Sequence, residues 1–194
     1  MTRLALLLCV LASCLTTLTA QNTRFEKGDI EISAGVGVLP TFFADQSKTI
    51  VPPLSARIGY RVSNNLSLAA YAAFSSSETN QIDLPDGSVT HYENDFLIVG
   101  IRGAAHTNRL DNWDIYGGFL LGYNIPEVTE NRTFNTNGDA APVEDAPSFS
   151  RPPENTFTYS GFVGASYYFG KRLGAFAEVG YGISLLNVGL NLKI

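Results

Sequence analysis

The most constraining feature of this 194-residue chain is an apolar pattern with a period of two, which recurs in eight long segments. In the first segment, Ile30 and Ile32 alternate with Glu31 and Ser33. Alternation of this kind is typical of β-strands that bury one face. The same pattern covers residues 29–39, 54–62, 66–75, 97–106, 114–124, 157–169, 175–184 and 187–194.

The length of these segments favours a membrane protein over a soluble one. Strands of soluble proteins usually have five or six residues, whereas these segments have about nine to thirteen. A strand of about ten residues tilted by about 40° climbs roughly 25 Å, which is the height of the apolar band of a membrane barrel. We therefore interpret the eight segments as transmembrane strands.

The connections between the segments alternate between long and short, and the last hairpin is a very tight turn near Leu185. The long connections are residues 40–53, 76–95 and 125–155, and the short ones are 63–65, 107–112 and 170–174. With both termini on one side, the short turns fall on that side and the long loops on the other. Bacterial outer-membrane barrels have this asymmetry, with short periplasmic turns and longer extracellular loops. The sequence predicts an all-β fold, a closed antiparallel eight-stranded transmembrane β-barrel.

The first twenty residues do not continue this pattern. Arg3 precedes an apolar run over residues 4–12, and small residues follow up to Ala20. This arrangement is typical of a secretory signal peptide, too short to span a bilayer as a helix. An alternative is that Cys14, in Leu-Ala-Ser-Cys, is the lipidated cysteine of a lipoprotein. We predict a cleaved signal peptide at 1–20 and a barrel domain at 21–194, exported to the outer membrane of a Gram-negative bacterium.

The inward face of the predicted barrel carries several charges. The lumen of an eight-stranded barrel is just wide enough for its own side chains, and a charge in so narrow a space must be paired. We therefore predict a salt-bridge network that closes the lumen, with Glu178 paired to one or more lumenal arginines and Glu31 near Arg61. Inward glycines would leave space for water pockets. The charged set is Glu31, Arg57, Arg61, Arg102, Asp114, Glu178 and Lys193.

The outward face is apolar and carries aromatic residues at two heights. Ile32, Val99 and Leu190 are expected to face lipid. Aromatic girdles at the two membrane interfaces are typical of such barrels. The predicted outer girdle contains Phe74, Tyr123, Phe157, Tyr159 and Tyr181, and the inner one Tyr60, Tyr167, Phe169 and the adjacent Trp113.

Three stretches near the C-terminus resemble known proteins. They read GFVGASYYF at 161–169, GAFAEVGYGIS at 174–184 and NVGLNLKI at 187–194. The chain is similar to the small eight-stranded outer-membrane barrels of the OmpA/OmpX kind, and more closely to the porin-family barrels common in Bacteroidetes. The resemblance implies an integral outer-membrane barrel with a structural, surface-display or interaction role. One departure is the last residue, Ile194, where such barrels mostly end in an aromatic.

Two other functions are alternatives. One is a narrow porin-like channel for small solutes, and the other is an enzyme that modifies lipid A or phospholipid with a His, a Ser and an acid. His106 faces inward and no Ser lies at the spacing of the lipid A deacylases, while His91 lies in an acidic loop. We therefore expect no enzyme and no catalytic residue. We also expect no cofactor and no metal.

The charge of the chain is concentrated in the predicted long loops. Connections 40–53, 76–95 and 125–155 hold twelve acidic and three basic residues, a net charge of −9, whereas the whole chain has −5. This balance argues against nucleic-acid binding, which needs a basic face. The loops are candidates for an extracellular ligand or protein, or for sharing divalent cations with lipopolysaccharide. We expect a monomer in outer-membrane lipid, with 125–155 as its most mobile part.

Overall fold

The computed structural model describes residues 25–41, 48–79, 82–83, 88–107, 112–136, 139–142 and 155–194. In that part of the chain there is no helix long and apolar enough to cross a membrane. The predicted signal peptide, with Cys14 and Ala20, lies outside the described residues. The strands are β1 (Ile30–Gly37), β2 (Lys48–Ser63), β3 (Leu66–Glu78), β4 (Ile82–Asp83), β5 (Ser88–His106), β6 (Trp113–Thr136), β7 (Asp139–Pro142), β8 (Thr156–Tyr168), β9 (Leu173–Gly180) and β10 (Leu186–Lys193).

Eight of these strands form a closed ring in which every neighbouring pair is antiparallel. The order around the ring is β1, β2, β3, β5, β6, β8, β9 and β10, and β10 pairs again with β1. The short strands β4 and β7 extend the sheet beside β5 and β6. The predicted fold class is confirmed. Closure leaves no unpaired strand edge, as a β-structure in hydrocarbon requires.

The strands on one side of the ring are much longer than the apolar pattern predicts. Strand β2 begins at Lys48, β3 continues to Glu78, β5 begins at Ser88 and β6 continues to Thr136. The predicted loops 40–53, 76–95 and 125–155 are therefore wrong in part, because much of each is strand. In these extensions the inward side is lined by the buried polar residues Ser75, Ser77 and Thr90, so the backbone pairing continues while the apolar alternation ends. We call residues 75–78, 88–96 and 124–136 the outer wing.

The two faces of the barrel follow the predicted alternation. Ile32, Val99 and Leu190 are 40%, 39% and 57% exposed on the outside, whereas Ser33 and Asn191 are buried in the lumen. The predicted lipid-facing positions are confirmed. An outer surface of this apolar kind is stable in hydrocarbon and would be costly in water.

The end of the lumen next to the long loops is filled by the connection between β9 and β10. This connection has five residues, 181–185, so the prediction of a very tight turn is wrong. Ile183 folds inward and is buried. It packs in a cluster with Ala73, Ile98 and Leu120. Ser184 fixes the connection, because its hydroxyl donates to the carbonyl of Leu39 at 2.7 Å.

The opposite end, next to the short turns, is covered by residues 25–29, which we call the N-terminal cap. Phe25 is fully buried, and its ring meets Tyr168 edge-on at 5.2 Å between centroids. Gly28 has φ of +104°, a left-handed conformation that favours glycine. Its N–H donates to the carbonyl of Arg61, and the Arg61 N–H donates to the carbonyl of Asp29. These backbone hydrogen bonds hold the cap against the end of β2, as they would hold an added strand.

Candidate functional site: the filled lumen

The centre of the lumen contains a neutral group of four charged side chains. Arg57 lies 3.3 Å from Glu31 and 3.2 Å from Glu178. Arg102 approaches Glu178 to 2.7 Å, an ion-pair distance without hydrogen-bond alignment. Tyr116 adds a hydroxyl that donates to Glu178 at 3.3 Å. Glu178 therefore contacts two arginines that are both shielded from water, and Glu31 supplies the second negative charge.

A second charged group lies nearer the short turns. Arg61 and Asp114 form an ion pair at 2.5 Å, and both side chains are 3% exposed. His106 Nδ1 lies 2.9 Å from the same Asp114 oxygen, and its Nε2 lies 2.8 Å from Ser67 Oγ. Ser67 was not among the residues predicted for the lumenal network.

Glu31 does not take the partner that we expected. It faces Gly59 across the β1–β2 pair, so Arg57 and Arg61 lie diagonally on either side of it. Because Arg61 is bound to Asp114, Glu31 pairs with Arg57 instead. Tyr168 also donates its hydroxyl to Glu31. Glu31 does lie near Arg61, as predicted, because both line the same cavity, but its ion pair is with Arg57.

Lys193 lies apart from the central group, at the mouth of the lumen. Its Nζ is 2.6 Å from Asp29, and the two side chains are 19% and 22% exposed. The ammonium also lies 4.9 Å from the centre of the Phe25 ring. Lys193 therefore contacts the N-terminal cap and does not join the central pairs.

Aromatic side chains pack closely against several inward glycines. A Cβ on Gly164 would lie 2.7 Å from the ring of Tyr116, and one on Gly180 would lie 2.7 Å from Cβ of Phe162. Each glycine is the direct cross-strand partner of its aromatic residue. Gly59 and Gly180 nevertheless line two of the cavities that remain, so water pockets at inward glycines stay a prediction. A glycine opposite an aromatic leaves room for the ring to lie across the strand.

The same rings support the lumenal cations. The Arg102 guanidinium lies 3.6 Å from the centre of the Phe162 ring, and that of Arg61 lies 3.9 Å from the Phe25 ring. Arg57 lies 5.3 Å from the Tyr116 ring. A cation over an aromatic face gains electrostatic stabilisation that increases when water is excluded. Ion pairs and aromatic stacking therefore act together to hold each arginine in place.

Cavities remain between these side chains, but they are small. Three of them have volumes of about 30, 20 and 10 Å³. A water molecule needs about 10–15 Å³ by this measure, so each cavity holds at most a few water molecules. One is lined by Ser67 and His106, another by Glu178 and Asn187.

The packing of rings on glycines predicts a specific effect of adding one methyl group. Gly164→Ala should lower the free energy of unfolding by about 1–3 kcal/mol, because its Cβ would overlap the Tyr116 ring. The midpoint of urea unfolding in lipid vesicles measures this loss. Gly59→Ala is the matched control, since its nearest contact would be an ordinary 3.6 Å. Equal midpoints for the two variants would contradict the ring packing.

The aromatic residues predicted as girdles lie on the outward face. Trp113 and Tyr167 meet at 5.0 Å between centroids, and Tyr167 meets Phe169 at 5.5 Å, near the short turns. Tyr123 and Phe157 meet at 5.9 Å, toward the other end. Their role as interface anchors stays a prediction. The remaining members also point outward: Tyr60, Phe74, Tyr159 and Tyr181.

Two groups of lumenal residues were missed by the sequence analysis. Ser67 was not considered because it lies far from His106 in the chain, and the rings of Tyr116 and Phe162 were not assigned to any cluster. Both groups could have been found from the sequence. Ser67 and Tyr116 occupy inward-facing positions in the alternation of their strands. Aligning the neighbouring strands in register would have placed both residues next to His106.

A closed ring of eight tilted strands, apolar outside and filled with paired charges inside, defines a transmembrane β-barrel. The family of the outer membrane protein beta-barrel domain matches residues 5–192, and the chain belongs to this family. The resemblance to outer-membrane barrels is thereby confirmed, and the protein is an integral barrel of the bacterial outer membrane. Its short turns face the periplasm and its long loops the exterior.

The chain is similar to two solved outer-membrane structures at low sequence identity. The outer membrane protein OprG from Pseudomonas aeruginosa is 14% identical with a TM-score of 0.59, and the match covers 89% of this chain and 99% of that one. The N-terminal beta-barrel domain of Pseudomonas aeruginosa OprF is 13% identical with a TM-score of 0.49, covering 88% and 100%. At such identity, the likeness to OprG shows the fold alone. No curated protein matches the chain.

Proposed function

We propose that this protein is a monomeric surface-display barrel with a closed lumen, and that its outer wing contacts partners outside the cell. The observation that carries the proposal is the neutral group of Arg57, Arg102, Glu31 and Glu178, which fills the centre of the lumen. The cluster around Ile183 and the cap residue Phe25 fill the two ends. A solute path would require all three layers to move.

Planar-bilayer conductance of the refolded protein tests the closed lumen. The wild type is expected to show no steady conductance steps. A combined variant, Arg102→Ala and Phe162→Ala with Ile183→Ala and Phe25→Ala, serves as the open control, because it removes side chains from all three layers. This variant should conduct if it inserts. Steady conductance of the wild type would contradict the proposal and favour a narrow porin-like channel.

The outer wing carries acidic residues that face one another. Glu78 is directly opposite Glu93, and Asp95 is directly opposite Glu127, on the outward side of three neighbouring strands. Like charges in such cross-strand pairs are destabilising. Asp95 Oδ1 is moreover buried without a hydrogen-bond donor in the part of the chain that the structure describes. Glu78 also has Lys48 directly opposite it on β2, so it is chiefly Asp95 and Glu127 that favour a partner bringing positive charge.

The position of these carboxylates suits lipopolysaccharide. Asp95 and Glu127 lie two residues beyond the outward apolar residues Leu97 and Ile125, and Glu78 and Glu93 lie two residues further out. Among the described residues, no group of three or more His, Cys, Asp or Glu forms a closed metal site. The carboxylates would therefore share divalent cations with lipid phosphates, since such cations prefer oxygen ligands.

The like-charge pairs give a second test. Asp95→Asn should raise the free energy of unfolding by about 0.2–1 kcal/mol in detergent with EDTA, because it removes the repulsion from Glu127. The stabilisation that Mg²⁺ gives in vesicles containing lipopolysaccharide should decrease in the same variant. Glu26→Gln, at the periplasmic end, is the control for loss of one negative charge. An unchanged response to Mg²⁺ in Asp95→Asn would contradict the lipopolysaccharide contact.

A lipid-modifying enzyme is less well supported. The serine, histidine and acid that the structure brings together are Ser67, His106 and Asp114, and they point into the lumen. An acyl chain in the membrane would not reach them. In the described residues, no observation therefore supports the alternative of an enzyme acting on lipid A or phospholipid.

A further inference from the structure

Ser67, His106 and Asp114 form a hydrogen-bonded chain at the periplasmic end of the lumen. His106 lies in the middle, with Nδ1 at 2.9 Å from Asp114 Oδ2 and Nε2 at 2.8 Å from Ser67 Oγ. Because an ionised carboxylate only accepts, Nδ1 carries the proton that it donates to Asp114. Nε2 then holds a lone pair and accepts the hydroxyl proton of Ser67. The same order of nucleophile, base and orienting acid recurs on unrelated folds.

The register of three adjacent strands builds this arrangement. Ser67 faces Ala104 across the β3–β5 pair, so His106 is its diagonal neighbour. His106 faces Tyr116 across the β5–β6 pair, so Asp114 is its diagonal neighbour on the other side. The imidazole packs on the Tyr116 ring at 5.5 Å between centroids. A site on paired strands is held more rigidly than one on loops.

A cavity lies beside the serine, and the arginine opposite the serine carries an unused donor. Arg61 is the direct cross-strand partner of Ser67 and binds Asp114 through Nη2. Its Nη1 is buried and has no hydrogen-bond acceptor in the described part of the chain. A fixed donor of this kind can stabilise an oxyanion. Arg61, Ser67 and His106 line a cavity of about 30 Å³ whose wall is otherwise formed partly by Gly59, Ala69 and Ala104.

We propose that Ser67 is a nucleophile that accepts an acyl group of acetyl size from a carboxylic ester in the periplasm. The size follows from the cavity, which holds roughly two water molecules. Ser67 Oγ bonds to the carbonyl carbon while His106 Nε2 takes its proton. The proton passes to the alkoxide oxygen as the ester C–O bond breaks. Water then attacks the acyl-serine while His106 takes its proton; the bond from the acyl carbon to Oγ breaks, the proton passes from His106 to Oγ, and the carboxylic acid leaves.

Each residue has a separate role in this proposal. Ser67 and His106 are the catalytic residues, Arg61 Nη1 is the oxyanion donor, and Asp114 is a positioning residue that fixes the tautomer of His106. The inference goes beyond the display function and departs from the sequence-based expectation of no enzyme. Because it concerns the lumen and the periplasm, the failure of either proposal leaves the other intact.

The N-terminal cap controls access to the serine. Phe25 covers the Arg61 guanidinium, and the cap is tied by the Lys27 N–H, which donates to Asn64 Oδ1 at 3.1 Å. An ester entering from the periplasm would have to displace this ring. Phe25→Ala is therefore expected to accelerate any reaction at Ser67.

Methanesulfonyl fluoride tests the nucleophile, since it is small and its S–F bond is replaced by a bond from sulfur to Ser67 Oγ, with loss of fluoride. The refolded full barrel is treated, and mass spectrometry locates the methanesulfonyl group. We expect label on Ser67 and none in Ser67→Ala. His106→Ala should slow labelling by about 100-fold or more, as loss of a general base does. His91→Ala is the matched control and should label like the wild type.

Further measurements keep the test decisive if a variant folds poorly. Asp114→Asn should slow labelling and shift the imidazole ¹⁵N resonances of His106, a signature of the tautomer that loss of stability does not mimic. Label on Ser67 in either the wild type or Phe25→Ala, with dependence on His106, supports the proposal. Absence of label in both folded proteins, or labelling that is independent of His106, overturns it.

Discussion

Replacing Glu178 by Gln is expected to lower the free energy of unfolding by about 3–5 kcal/mol, because it leaves a buried positive charge without a counter-ion. Glu178 lies within 3.2 Å of Arg57 and 2.7 Å of Arg102, and its side chain is 7% exposed. Water cannot replace the lost carboxylate in so narrow a space. Urea titration of the protein in lipid vesicles, followed by the fluorescence of Trp113, measures the change.

Two further variants identify the cause. Arg102→Met in the Glu178→Gln background restores neutrality, since Arg57 keeps Glu31 at 3.3 Å, so part of the loss should be recovered. Asp29→Asn breaks the more exposed pair with Lys193 and should cost less than about 1 kcal/mol. If Glu178→Gln were no more costly than Asp29→Asn, the lumenal group would not be a desolvated ion-pair network.

The alternation of side chains was sufficient to predict the architecture of the barrel. A period of two fixes which residues face lipid, and the strand lengths and loop asymmetry then give strand number and orientation. Val99 and Leu190 are outward for this reason, and Arg102 and Glu178 are inward. The inward-facing positions of the alternation also predict which charged side chains lie in the lumen.

The choice among inward partners could not be predicted in the same way. Glu31 lies between two arginines at equal register distance, and the choice of Arg57 depends on Asp114, which is far away in the sequence. The rings that fill the inward glycines and the approach of Ser67 to His106 depend on register between strands. The outer wing was missed because strands in water need no apolar alternation.

The outward face gives the second large effect. Ile101→Arg should lower the free energy of unfolding by about 2–4 kcal/mol, the cost of a cation at the bilayer midplane on the lipid side of a barrel. Ile101 is 63% exposed and pairs with Ala70, which lies midway between Leu66 and Phe74 on β3. Urea unfolding in phospholipid vesicles is the measurement.

The depth of the substituted residue in the membrane distinguishes this effect from a general loss of packing. Leu66→Arg places the same cation next to the periplasmic turn, at a position that is 51% exposed, and should cost only about 0–1 kcal/mol. In detergent micelles, which deform around a charge more readily than a bilayer, the difference between the variants should decrease. Equal losses at Leu66 and Ile101 in vesicles would mean that the apolar band is not centred on Ile101. The level of the membrane on the barrel, and with it the position of the acidic pairs of the outer wing relative to lipopolysaccharide, would then have to shift along the strands.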